Sequence, residues 1–205
     1  MMVRKQNNMC RNACSNAVGV MKYMKGAILE KGERGYTYLR KIFELVPCLK
    51  SDYNWLITDC EAYPKSEGRA VRLAQTNGNA WISGEELYGM VRHDDFQWIW
   101  GVLSGFNKAI LKEEVFKHEY PYADGYGGFW NKELSIQHPL ASVELVAWDG
   151  CLTLIISKEE SVVDEFRNAF ELSEDLEHYN KCAWAKTEGT LDESDAYKRW
   201  LENKQ

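Results

Sequence analysis

"SVELVAWDGCLTLIIS", residues 142–157, sets two apolar runs on either side of Asp149-Gly150. That pair between hydrophobic runs is a strong local signal for an antiparallel hairpin, because a type I′ turn requires positive φ at both central residues. A two-residue turn pairs Trp148 with Cys151 and Ala147 with Leu152. One face then carries Val143, Leu145, Ala147, Leu152, Leu154 and Ile156, all apolar. The other carries Glu144, Val146, Trp148, Cys151, Thr153 and Ile155, a mixed set. This spacing predicts a hairpin whose first face lies on the core.

Outward from the hairpin, helices and strands follow in mixed order. After it, Val162, Val163, Phe166, Ala169 and Phe170 share one helical stripe, with Ser157 and Glu160 at capping-box spacing. A short acidic helix at "SEDLEHYN", a linker at "AWAKTEGT" and a last helix at "LDESDAYKRWLENK" complete the C-terminal side. Before the hairpin, "KGAILE" reads as a strand, and the spacing of residues 36, 39, 42, 43 and 46 predicts a helix ended by Pro47. "YNWLITDCEAY" reads as a strand, and Ala70 to Ala74 as a weaker one. In "ISGEELYGMV", Ser83 and Glu86 have capping-box spacing for a helix.

"FQWIWGVLSGF", residues 96–106, reads as a strand with Phe96, Trp98, Trp100 and Val102 on one face and Ile99, Gly101 and Leu103 on the other. Both faces are apolar, as suits a central strand covered on both sides. "NKAILKEEVFKHEY" has helical spacing that turns Ile110, Leu111, Val115 and Phe116 inward, and "YADGYGGFW" reads as a flexible loop. Strict β-α-β alternation is absent. The expected fold is α+β, an antiparallel sheet with helices packed on it. It forms a single domain over residues 24–182. Residues 1–23 are expected to form a flexible or artefactual extension, and residues 183–205 a linker with an acidic helix.

The composition suits such a domain. Among 205 residues, 45% are hydrophobic, 27% charged and 13% aromatic, with eight tryptophans. That falls in the globular range, with enough apolar material for a core without disulfides. The formal net charge of −6 argues against nucleic acid, which requires a basic stripe. Single-strand binding through Trp98 and Trp100 would need nearby cations, and no Lys or Arg lies between Asp94 and Ser104. Acidic residues gather late in the chain, where residues 171–205 hold nine acids against five bases. No run of about 18 apolar residues appears, so no membrane span is expected. The six cysteines read as free thiols of a cytoplasmic protein.

No motif for catalysis, metal or cofactor stands out. Cys10 and Cys14 lack the second close pair that a zinc site needs. "HEYPY" lacks the second histidine of a zinc-protease helix, and "DGYGG" lacks the lysine of a phosphate-binding loop. His93, Asp94 and Asp95, with His118, are the candidate members of a cleft, since imidazole and carboxylate together can move protons. The candidate partner-binding residues are Tyr122, Tyr126, Phe129 and Trp130 around the glycine-rich loop, with Glu174 and Asp175 in the acidic segment. Aromatic anchors with an acidic rim suit a protein partner with a basic surface.

Taken together, "GYTYLRKIFELV…YNWLITDCEAY", "ISGEELYGM" and "SVELVAWDGCLTLIISKEESVVDEFRNAF" resemble small bacterial domains of unknown function. The layout is similar to that of immunity proteins encoded beside polymorphic toxins. The resemblance covers roughly residues 24–180 and rests on structural motifs, so it carries no catalytic residue with it. It implies a module that binds and inhibits a toxin rather than an enzyme. The alternative is a small enzyme or ligand-binding domain using the His/Asp cleft.

Overall fold

The computed structural model describes residues 24–31, 37–73 and 79–186. The expectations for residues 1–23, for Cys10 and Cys14 and for the last helix lie outside the described residues. The chain runs β1 (Lys25–Leu29), α1 (Leu39–Leu45), α2 (Cys48–Ser51), β2 (Tyr53–Ala62), α3 (Glu67–Leu73), β3 (Ala80–Ser83) and α4 (Gly84–His93). It continues through β4 (Trp98–Asn107), α5 (Lys112–Val115), β5 (Val143–Trp148), β6 (Leu152–Ser157), α6 (Glu160–Ala169), β7 (Glu174–Asp175) and α7 (Leu176–Lys186). The strands form one antiparallel sheet of seven in the order β3-β2-β4-β5-β6-β1-β7. The expected α+β class, with helices packed on an antiparallel sheet, is the fold observed.

Both sheet faces are covered, by different means. Leu39, Phe43, Leu49, Leu87, Val91 and Phe166 bring helices α1, α2, α4 and α6 onto one face. The other face is covered by the largely irregular chain between β4 and β5, through Val115, Ala123, Phe129, Trp130 and Ile136, and by Leu176 of α7. Every residue of β5 and β6 is consequently buried.

Full burial explains why the hairpin differs from its expected register. Asp149 and Gly150 do adopt positive φ, 49° and 60°, and the Cys151 amide donates to the Trp148 carbonyl at 3.1 Å. Yet Trp148 pairs with Leu152 and Ala147 with Thr153, so Cys151 is an extra turn residue. A shift of one residue exchanges the faces of β6. Leu152, Leu154 and Ile156 join Val146 and Trp148 under the irregular chain, while Ile155 joins Leu145 under the helices. With both faces buried, the hydrophobic pattern of β6 does not select the register. The turn is instead held to the neighbouring strand, where the Gly150 amide donates to the Ile99 carbonyl at 2.7 Å and the Gln97 side chain donates to the Gly150 carbonyl at 3.1 Å.

The central strand β4 also departs from simple alternation. Trp98 and Phe96 face the helices, whereas Trp100, Val102 and Phe106 face the irregular chain. Two offset bulges cause this. Thr58 pairs with Val102, Glu61 with Trp100 and Ala62 with Trp98, so β2 carries one extra residue and β4 another. A bulge rotates the side chains beyond it to the opposite face. The reading of this stretch as a central, doubly covered strand holds, with Trp98 fully buried.

Other differences are local. Residues 70–73, expected as a strand, are the end of α3, which begins where the Arg69 and Ala70 amides bond to the Ser66 carbonyl. The edge strand β3 has no counterpart in the sequence reading. Helix α5 is a single turn and Leu111 points to solvent, 63% exposed. Pro47 ends α1 and also opens α2, its carbonyl accepting from the Lys50 and Ser51 amides. Ser83 caps α4 as expected, accepting from the Glu86 amide at 3.1 Å. Ser157 instead bonds the Glu159 amide at 2.9 Å, and Glu159 takes the cap position of α6. The acidic segment is β7 against β1, followed by α7, which runs through residues 183–186, where a linker was expected.

Candidate functional site

The β2 bulge puts Asp59 at a φ of 49°, a left-handed conformation that aspartate tolerates better than most residues. From there its Oδ2 accepts the Ala123 amide at 2.7 Å and the Asp124 amide at 2.8 Å. One carboxylate oxygen thus fixes the loop that follows Pro121.

Gln137 fixes the residue just before this anchor. Its Nε2 donates to the Tyr122 carbonyl at 2.9 Å, and its Oε1 accepts the Tyr122 amide at 3.1 Å. Gln137 is held in turn by Glu144 of β5. The Gln137 amide donates to Glu144 Oε2 at 3.0 Å. The His138 amide and the Ser104 hydroxyl donate to Glu144 Oε1 at 3.1 and 3.2 Å. His138 is buried: the Leu140 amide donates to its Nδ1, so its Nε2 carries the proton donated to the Val115 carbonyl at 3.1 Å. That is the neutral tautomer, in keeping with burial lowering the imidazole pKa. Glu144 is fully buried, and desolvation pushes its carboxyl up to about 7 against the opposing effect of its three hydrogen bonds and the Lys158 charge.

The fixed loop carries a graded aromatic series. Tyr122, 49% exposed, meets Tyr126 edge-on at 5.3 Å between ring centroids, and Tyr126 meets Phe129 at 4.8 Å. Phe129 and Trp130 close on Trp148 at 5.9 and 5.1 Å. The Tyr126 ring lies across Gly128, where a Cβ would stand 2.4 Å from it, so any larger residue there would displace the ring. Asn180 of α7 ties the far end, donating to the Phe129 and Asn131 carbonyls at 2.9 and 2.8 Å. The segment expected as a flexible loop is a packed 3₁₀ turn, Gly127–Trp130, with hydrogen-bonded flanks.

The proposed binding residues therefore occupy different environments. Tyr122 is at the surface, Tyr126 is half-buried, and Phe129 and Trp130 are buried in the core. Glu174 and Asp175 lie in β7 at the sheet edge. Glu174 pairs with Lys31 at 3.7 Å, while Asp175 pairs with Arg167 at 3.8 Å and accepts the His178 amide at 2.8 Å.

The candidate cleft residues are not brought together. His93 is exposed at the end of α4. Asp94 is buried, accepting the Lys65 amide at 2.7 Å and pairing with Arg69 at 3.3 Å. Asp95 accepts the Arg40 amide at 3.2 Å, and desolvation raises its carboxyl pKa. His118 lies across the sheet, its ring 5.2 Å from His138, which packs on Phe106 at 4.7 Å. Among the described residues, no three His, Cys, Asp or Glu side chains are grouped to hold a metal ion. No described helix is long and apolar enough to cross a membrane.

Sequence reasoning missed Asp59, Gln137 and Glu144, the residues that shape the loop. Two left a signal: Asp59 interrupts a strand with a residue strands disfavour, and Glu144 is the one charge in an apolar run. Gln137 left none. Comparison with protein-family models, curated proteins and solved structures yields no match to this chain.

Proposed function

We propose that the protein is a protein-binding module that presents Tyr122 and the rim of Tyr126 to a partner with a basic surface, in the manner of an immunity-type inhibitor of a toxin. The observation that carries this reading is the double clamp on the loop: Gln137 bonds both backbone groups of Tyr122, and Asp59 bonds the next two amides. Such a surface tyrosine loses little conformational freedom on binding, and pre-organisation of this kind favours affinity. Exposed Glu119, Asp124 and Glu133 flank the aromatic residues, slightly outnumbering exposed Lys117 and Lys132, and the net charge is −6. Both features favour encounter with a cationic surface.

The toxin-inhibitor role rests on the similarity of layout to immunity proteins. Affinity capture followed by mass spectrometry, with wild type and a Tyr122→Ala variant in parallel, tests the binding reading. The expected result is a basic protein retained by wild type and lost with the variant. Equal retention by both would reject Tyr122 as a contact.

A further inference from the structure

We propose that Glu144 makes the presentation of Tyr122 responsive to pH, because ionisation of this sealed carboxylate favours opening of the segment that carries the Gln137 clamp. The inference rests on the reading of that loop as the binding surface and concerns its regulation.

The geometry is a relay of hydrogen bonds. Ser104 of β4 and the amides of Gln137 and His138 enclose the Glu144 carboxylate, and the Gln137 side chain grips Tyr122. Across β6, Glu144 pairs with Ile156. Strands β4 and β6 belong to the continuous sheet, so water reaches the carboxylate most readily by displacement of residues 136–138. An ionised carboxylate in a dry site gains strongly from that hydration.

The groups that face Glu144 leave this balance with the carboxylate itself. Ser104, Ile156 and Gln137 carry no charge. His138 is neutral, and His118 lies beyond it. Lys158 supplies an attractive field while its Nζ donates to the Pro139 carbonyl at 2.9 Å.

The direction follows from linkage. The closed loop holds the carboxyl near 7, and opening returns it toward its ordinary value of 4.5. Between those values the closed form binds a proton that the open form releases. Low pH therefore favours the closed clamp, and closure is lost as pH rises through the window. Across the whole window the opening constant rises on the order of 100-fold.

Amide hydrogen exchange at Tyr122, Gln137 and His138 from pH 5 to pH 8, corrected for intrinsic rates, tests this. In wild type, opening should increase on the order of 100-fold. In Glu144→Gln the profile should be flat, although the amide side chain opposes one backbone donor and raises opening at every pH. Ser104→Ala, which keeps the carboxylate but takes a bond from its ionised form, should leave the onset of the rise in place and extend its upper end to higher pH. A flat wild-type profile, or the same rise in Glu144→Gln, would overturn the inference. The readout needs no partner. A pH-dependent clamp with capture unaffected by Tyr122→Ala would sink the binding reading alone. Lost capture with a flat profile would sink the relay alone.

Discussion

Replacing Asp59 probes whether the bulge anchors the loop. Asp59→Ala removes the acceptor for two amides. The Asp124 amide lies at the surface and regains water, but Ala123 is fully buried and its amide is left without a partner. An unsatisfied buried donor costs about 1–3 kcal/mol. Alanine at a φ of 49° also bears a left-handed penalty of about 1 kcal/mol beyond that of aspartate. The expected loss for Asp59→Ala is thus about 2–4 kcal/mol. Asp59→Gly loses the same bonds without the backbone penalty and should be less damaging by about 1 kcal/mol. Asp59→Asn can place its amide oxygen where Oδ2 stands and should lose no more than about 1 kcal/mol, the charge assistance alone. Urea unfolding followed by tryptophan fluorescence gives the three values. The order Asn, Gly, Ala of increasing damage is the signature. All three variants within about 0.5 kcal/mol of wild type would mean that Asp59 does not hold the loop. Glycine worse than alanine would mean that the left-handed bulge is not adopted.

Two further predictions address the core and the thiols. A Cβ at Gly105 would stand 2.6 Å from Val143 Cγ1 and 3.1 Å from the Trp55 ring. Gly105→Ala should therefore cost about 1–3 kcal/mol in urea unfolding, and Val143→Ala should recover part of that loss in the double variant. Burial holds the thiols of Cys48 and Cys60 up at about 12, with Glu165 adding to the effect at Cys48. Cys182 is exposed, with Sγ 3.4 Å from His178 Nε2. Peptide mapping after brief reaction with Ellman's reagent at pH 8 should find Cys182 modified well ahead of Cys48 and Cys60, whose raised pKa values leave little thiolate. Native labelling of Cys60 ahead of Cys182 would contradict the burial described.

Much of the fold is legible in local signals because those signals report local physics. Asp149-Gly150 marks a turn with positive φ, Ser83 marks a helix start, and the stripe from Val162 to Phe170 marks a helix face. Register is not local. Where β5 and β6 are buried on both faces, shifting by one residue exposes nothing apolar, so Cys151 enters the turn without cost to the core. The paired bulges at Asp59 and Ile99 likewise depend on how two distant strands meet.

The site follows the same division. The aromatic content of residues 122–130 is plain in the sequence, but the partition between a surface Tyr122 and the buried Phe129 and Trp130 depends on the sheet face beneath them. Acidic residues expected at a binding rim, Glu174 and Asp175, have local partners in Lys31 and Arg167. His93 and His118 are only 25 positions apart in the chain, yet the sheet separates them. Gln137 is decisive for the loop and looks ordinary in sequence, because its role comes from reaching Tyr122 through a fold that closes 15 residues.

The most direct measurement is the affinity of the captured partner for wild type and for Tyr122→Ala, with Tyr126→Phe as a milder companion and urea midpoints recorded for each. Loss of an anchoring tyrosine should weaken binding at least about tenfold, or about 1.4 kcal/mol, with the midpoint unchanged. Unaltered affinity in a Tyr122→Ala protein that is fully folded would contradict the placement of the binding surface at this loop.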